Sequence, residues 1–479
     1  MMLMTLKTFG GDKMAKRLIG AVSSIALAGL VLGGCGTTPA SGSGGNGSSN
    51  SSSGGGSSNT ITVAYQQFGK PPYFNEEWLQ QSAKAFEKDH PGVTVKLEPI
   101  EASENDFYTK IDLMMKSAST APDVVTEDTF LINADGSAGY LQPLNDDVNN
   151  WSDWSQFSDA MKSGSTSNDG TIYGVPYSTD TRGLYYDVNI FKKAGLPVPW
   201  NPKNWNDVIN AAKAIKAKVP GVIPFYCQVG KATGEATTMQ TFEMLLYGTN
   251  DTLYDTKTNK WIVQSPGFLD SLKFIQTIYS QNLGPSLSTV LNAQAGNTEV
   301  QELMPKQQIG IAIDGNWLPG NWLSNGASPW PDGTKDYQLT AMPTENGQAP
   351  GYTSMSGGWA LSISKLSKNQ KLAWEFIQTA CNKQNMEWYD INQGNLTPRN
   401  DIASDSKYQN APGQFFKEAT SFTKFTHFRP ANSQYPSVST QIQTAVESVA
   451  TGASTPEQAM QQYTNNVQRI VGAGNTETK

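Results

Sequence analysis

The stretch that most constrains this chain runs from Asp169 to Trp205, DGTIYGVPYSTDTRGLYYDVNIFKKAGLPVPWNPKNW. Asp169-Gly170 marks a tight turn, and an extended run through Ile172 and Val175 follows until Pro176 interrupts it. Ser178 to Gly183 is a polar bend, Leu184-Tyr185-Tyr186 is extended again, and Val188 to Lys193 reads as a helical turn stopped at Gly195. Two apolar runs joined by a bend rich in Thr, Asp, Arg and Gly predict a chain passing between two packed bodies, with the bend lining the gap. A length of 479 residues agrees, being too great for one ordinary core and sufficient for two lobes.

The flanking segments predict an open α/β sheet. Ile61 to Tyr65 alternates as a strand, and Trp78, Leu79, Ala83 and Phe86 share a helix face for which Asn75 is the expected cap. Val93, Val95 and Leu97 alternate as a second strand, a helix near 106–117 carries Phe107, Ile111 and Met114, and Asp123-Val124-Val125 is a short buried strand. Such sheets bind ligands beyond the carboxyl ends of their strands. Gln66, Gln67 and Phe68 occupy that place after the first strand, and Glu127, Asp128 and Thr129 after Val125; either Glu127 or Asp128 points inward. Further on, helices are expected over 206–219, 237–247, 266–281 and 372–381. Ile309, Ile311 and Ile313 alternate as a strand ending in Asp314-Gly315-Asn316-Trp317, and 352–363 is extended around Ser356-Gly357-Gly358-Trp359.

Chemistry-bearing motifs are sparse. The two histidines, His90 and His427, sit in no triad pattern, and no zinc, calcium or phosphate-loop signature occurs, so neither metal nor cofactor is expected. Carboxylates such as Glu127, Asp128 and Asp180 leave a glycoside-cleaving enzyme as the alternative, since that chemistry needs two acids at a set separation. The same residues suit binding. A sugar presents apolar faces for aromatic rings and a rim of hydroxyls for planar polar groups. The chain carries 12 Trp and 18 Tyr, with Trp200, Trp317, Trp322, Trp330 and Trp359 in or beside expected loops. Asp180 is the acceptor in the bend, while Arg182 either donates to the ligand or pairs with an acid. A net charge of −7 and a lack of basic runs after residue 17 argue against nucleic acid.

Before the folded part, Lys13, Lys16 and Arg17 precede the apolar stretch Leu18 to Leu32, shorter than a membrane span needs, so 1–34 reads as a secretion signal. Residues 35–59 begin with Cys35 and continue as a Gly/Ser-rich tether. Cys227 and Cys381 either pair or stand as separate buried thiols.

Several motifs point to one family. The order G-x-I-Y-G-V-P, an acidic residue, L-Y-Y-D, F-K-K-A-G-L, P-x-P and Trp resembles the crossover of solute-binding proteins that serve ABC sugar importers, the maltose-binding-protein-like group. GIAIDGNW, GGWALSIS, AWEFI and STPEQAM are similar to further segments of it, and Leu32-Gly33-Gly34-Cys35 resembles the lipobox of bacterial lipoproteins. The resemblance implies a two-lobed α/β periplasmic-binding-protein-like (type II) fold, with three hinge crossovers near Asp180, Met342 and Thr379 and a ligand cleft between the lobes. One lobe would comprise 60–178 plus 343–378, the other 179–342 plus 379–470, with 471–479 a tail. It implies Asp180 as acidic cleft residue, Trp317 as stacking aromatic and a polar ligand residue at Glu127 or Asp128; Gln66, Arg182, Asp314, Gly358 and Trp359, beside strand ends and the expected cleft, complete the candidate ligand-binding positions. Arg399, in a P-x-R loop, is placed near the ligand by the same resemblance, with a structural salt bridge as its other reading. The implied protein is a non-enzymatic monomer, lipidated at Cys35 on the outer face of a Gram-positive cell membrane, that captures a carbohydrate, foremost an oligosaccharide, for permease subunits; a non-sugar solute is the alternative ligand.

Overall fold

The computed structural model describes residues 59–67 and 69–479. Cys35, the expected signal and all of the tether but Asn59 lie outside these residues, as does Phe68.

The first sheet contains β1 (Thr60–Gln67), β2 (Thr94–Glu101), β3 (Val124–Asp128), β4 (Gly174–Thr179) and, from much later in the chain, β13 (Gly358–Ile363). Its order is β2-β1-β3-β13-β4. β1 runs parallel to β2 and β3, whereas β13 is antiparallel to both β3 and β4. The second sheet contains β5 (Arg182–Asp187), β6 (Ile223–Tyr226), β9 (Ile309–Gly315) and β10 (Tyr337–Thr340), ordered β10-β5-β9-β6. A small ladder of β7 (Tyr254–Asp255), β8 (Lys260–Gln264) and β15 (Thr476–Thr478) lies apart from it. The third group, β11 (Met342–Pro343), β12 (Tyr352–Ser356) and β14 (Thr426–Phe428), consists of connecting strands.

Apolar periodicity accounts for these layers. The helix Phe74–Asp89 buries Trp78, Leu79, Ala83 and Phe86, the face read from the sequence. Trp78 is fully buried, donates its indole N–H to the Ala380 carbonyl at 3.0 Å and stacks on Tyr389 at 4.9 Å between centroids. Truncating such a residue to Ala costs about 3–5 kcal/mol. Asn75 does not cap this helix: the cap position is Tyr73, and Asn75 instead donates to the Gln66 carbonyl at 2.8 Å, fastening the helix start to the end of β1.

The chain passes from the first sheet to the second at Asp180-Thr181, between β4 and β5, and returns between β10 and β13 through β11 and β12. The third passage comes later than the expected Thr379. Helices Gln370–Ala380 and Lys383–Gln393, and then Leu396, Ile402, Tyr408, Phe416 and Ala419, pack in one core with Ile61, Val63 and Trp78 of the first lobe. Phe415 meets Tyr185 of β5, at 5.9 Å between ring centroids, and the helices Tyr435–Ala450 and Pro456–Val471 join Phe268, Leu272 and Ile275 of the second lobe. The chain therefore crosses between Tyr408 and Tyr435, a stretch in which β14 lies parallel to β12. The second lobe thus takes its final helices from beyond residue 430, not from 379 onward. A capping box of Thr455 and Gln458 starts the last long helix. Cys227 and Cys381 are both free and buried.

Candidate functional site

A cavity of about 360 Å³ opens where the two sheets direct their strand ends. Gln66 at the end of β1, Thr126 in β3, Tyr177 in β4 and Trp359 in β13 line it from the first lobe. Gln228 beyond β6, with Asp314 and Trp317 at the end of β9, lines it from the second. Both π-helical segments of the described residues, Ala236–Glu243 and Glu299–Leu303, contribute as well, through Gln240 and through Val300 and Gln301. Such departures from α-helical winding commonly re-aim side chains at functional sites.

The β9 end shows how local sequence shapes the wall. β9 is buried along its whole length, so it ends as a rigid support for Asp314 to Trp317. Gly315 is required there, because a Cβ would lie 2.0 Å from the Trp317 ring. Asn316 accepts from the Thr181 N–H at 2.7 Å and donates to the Gly394 carbonyl at 2.6 Å, tying this turn to the first crossover and to the loop after helix Lys383–Gln393. The Arg182 guanidinium lies 4.9 Å from the Trp317 ring centroid, so the indole is held by a cation against its face. Arg182 itself is buried, bonded to Asp180 and donating to the Met355 carbonyl at 3.2 Å. Asp180 also accepts the Gly357 N–H at 2.8 Å, which binds the first crossover to the second.

Of the expected ligand residues, Gln66, Asp314, Trp317 and Trp359 line the cavity together. The structure directs the others elsewhere. Asp180 and Arg182 pair with each other behind Trp317. Glu127 faces away from Thr126 by strand alternation and sits with Asp135 and Asp112, and burial raises its carboxyl well above the usual range. Asp128 accepts from Tyr108 at 3.0 Å and from Arg429 at 2.5 Å. Gly358 is a close-approach position, since a Cβ there would come 2.3 Å from the Ser178 carbonyl oxygen. Arg399 is buried in ion pairs with Asp153 at 3.0 Å and Asp401 at 2.7 Å, the structural reading of that residue.

Sequence reasoning missed Glu104, Thr126, Gln228, Gln240 and Gln301. The rule of looking beyond strand ends reaches Gln228, two residues after β6; nothing in the sequence signals π-helical winding. Glu104, half-buried at the start of helix Glu104–Met115, is pushed up to about 8 by desolvation and then by the nearby Asp128 and Glu235. Burial likewise raises Asp314 to about 7, against the opposing pull of the Gly315 N–H and Arg182. Thr126 Oγ1, Gln228 Oε1 and Gln301 Oε1 are buried without a hydrogen-bond partner. The lining therefore combines indole and phenol faces with polar atoms that the protein leaves unsatisfied. Among the described residues no group of three or more His, Cys, Asp or Glu is arranged to hold a metal ion.

Two sheets, three connecting passages and one cavity with walls from both sides are the architecture of a two-lobed binding protein. Residues 75–387 match the family described as bacterial extracellular solute-binding protein, and the chain belongs to that family. A putative binding protein of Brucella abortus is 26% identical over 356 residues, covering 73% of this chain and 78% of its own. The galactooligosaccharide-binding protein of Bacillus subtilis is 24% identical over 390 residues, covering 80% and 84%. Among solved structures, an ABC transporter solute-binding protein from Thermotoga lettingae, bound with alpha-D-tagatose, superposes with a TM-score of 0.73 at 26% identity, covering 86% of this chain and 100% of that one.

Proposed function

We propose that this chain is the substrate-binding component of an ABC importer and that its ligand is a carbohydrate, foremost a short oligosaccharide. The observation that carries the reading is the cavity lining. Trp317, Trp359, Tyr73 and Tyr177 supply ring faces, while Thr126, Gln228 and Gln301 supply unpartnered polar atoms. A buried polar atom left without a partner costs about 1–3 kcal/mol, a cost that ligand hydroxyls remove on binding. Relatives described as galactooligosaccharide-binding and lactose-binding support the same ligand class. Lys70 is the only cation among the lining residues, and it pairs with Glu302 at 3.1 Å, so the cavity lacks the arginine cluster that a phosphate ester favours.

Function in this reading needs no bond making. Ligand contacts to both lobes favour the closed form over the open one, and permease subunits respond to closure. The chain acts as a monomer held by a lipid on Cys35 at the outer face of a Gram-positive cell membrane. A thermal-shift and calorimetric screen of galacto- and malto-oligosaccharides tests the ligand. The expected result is stoichiometric binding with the sugar recovered intact; sugar cleavage in excess of the protein, or stabilisation by non-sugar solutes alone, overturns it. For the anchor, Cys35→Ala releases the protein from membranes with ligand affinity unchanged, and continued membrane association after a salt wash refutes it.

A further inference from the structure

Behind the second-lobe wall, groups from three segments of the chain meet. Gln228 is 1% exposed, lines the cavity and donates its Nε2 to Glu299 Oε2 at 2.9 Å. Its Oε1 has no partner. Glu299 is fully buried in the π-helical segment Glu299–Leu303, and its own Oε1 is also unpartnered. β6 and β9 run parallel with Tyr226 opposite Ala312, so Gln228, two residues beyond β6, stands level with Asp314 near the end of β9. Desolvation, and then the charge of Asp314, hold the Glu299 carboxyl well above the usual range. Burial and the Asp314 charge thus favour the protonated form of Glu299, which accepts from Gln228 through Oε2.

A glutamine amide has a donor end and an acceptor end of nearly equal size, so an unrestrained one offers either to a ligand. The bond to Glu299 engages one of the two N–H donors and turns that end of the amide towards the Glu299 carboxyl. We propose that Glu299 is a positioning residue: it fixes Gln228 with its carbonyl turned to the cavity, level with Asp314, so that the two select a ligand presenting hydroxyl donors beside Trp317. This selection rests on the carbohydrate reading; the fixing of the amide does not.

Two measurements separate them. With the protein labelled by ¹⁵N-glutamine, the Gln228 side-chain amide, assigned by its loss in Gln228→Ala, is expected to be protected from exchange without any ligand. Glu299→Gln keeps a carbonyl acceptor and retains that protection. Glu299→Leu removes the acceptor and abolishes it; protection that survives this change overturns the proposal. Should Glu299→Leu not fold, Glu299→Met deletes the same acceptor with a more adaptable chain. The second measurement is calorimetry with lactose and maltotriose. Glu299→Leu weakens the sugar that binds by about tenfold, Glu299→Gln stays close to wild type, and Glu299→Leu has no further effect on a Gln228→Ala background. An equal loss on that background shows that Glu299 does not act through Gln228. If neither sugar binds the wild type, the carbohydrate reading loses support and the exchange measurement still decides the role of Glu299.

Discussion

Replacing Arg429 with Met keeps an apolar stem and deletes a guanidinium that holds both lobes. Arg429 lies between β14 and the helix Tyr435–Ala450, in the third passage between the lobes. Its Nη2 is 2.5 Å from Asp128 Oδ1, at the end of β3, and its Nη1 is 3.3 Å from Glu235 Oε2, just before the π-helical segment of the second lobe. The guanidinium also lies 4.5 Å from the Phe130 ring centroid. All three charged side chains are 5–7% exposed, so water does not take over the pairing when one partner is removed. Deleting one member of a buried pair costs about 3–5 kcal/mol, much more than an exposed ion pair contributes. With an unfolding entropy of about 2.1 cal/mol/K per residue over roughly 420 described residues, a loss of about 4 kcal/mol lowers the melting temperature by about 4–5 °C. The deficit depends on pH. Without the guanidinium, which pulls the Glu235 carboxyl down against the upward push of burial, Glu235 holds its proton more tightly in the folded state than in the unfolded one. The variant therefore gains stability relative to wild type as pH falls, and the gap narrows towards pH 5. Scanning calorimetry of both proteins between pH 5 and 8 reads both effects. Arg429→Lys is expected to fall between them, because one ammonium does not reproduce the fork that reaches two carboxylates. An unchanged melting temperature at pH 7.5, or a gap that widens towards pH 5, refutes the reasoning.

Other outcomes follow from the same geometry. Glu104 and Glu243, raised to about 8, and Asp314, raised to about 7, bind protons more tightly in the folded chain than in the unfolded one; the unliganded protein is therefore most stable near pH 5 and loses stability as pH rises towards 8. A melting profile that is flat or rises over that range contradicts this. Trp317→Ala removes a ring face from the cavity and is expected to weaken sugar binding at least about fivefold, from roughly 1 kcal/mol of stacking plus lost contact area, with little change in unliganded melting; wild-type affinity places the ligand elsewhere. Asp180→Ala strips Arg182 and the Gly357 N–H of their acceptor, so the unliganded protein melts lower even before sugar is added. Unchanged melting with abolished binding would instead make Asp180 a direct ligand contact.

Much of the architecture was legible because it rests on local pattern. The amphipathic helix carrying Trp78, Leu79 and Phe86, the buried strand Ile309–Ile313 and the polar bend at Asp180 each announce themselves through spacing and composition, and each is present. Asp314 and Trp317 close a strand that is readable in the sequence, and the family resemblance marks Trp317 as the stacking aromatic. The third passage was misplaced for a physical reason. Helix Lys383–Gln393 has an apolar face suited to either lobe, and the meeting of Tyr389 with Trp78 places it in the first.

The residue types needed at a polar, aromatic site are written in the sequence, as are the strands that end there. Which carboxylate meets the cavity and which is neutralised is not, because that depends on partners far away in the chain. Asp128 turns to Arg429, Arg399 to Asp153, and Asp180 to Arg182 and Gly357, while Asp314 keeps an open wall. Gln228 donates to Glu299, a residue distant in sequence and buried on a π-helical turn that no periodicity signals. Propensity and alternation act over a few residues, whereas desolvation and charge pairing act through space. The first set the elements of this protein from sequence alone; the second, available only once the chain has folded, chose the residues of its cavity.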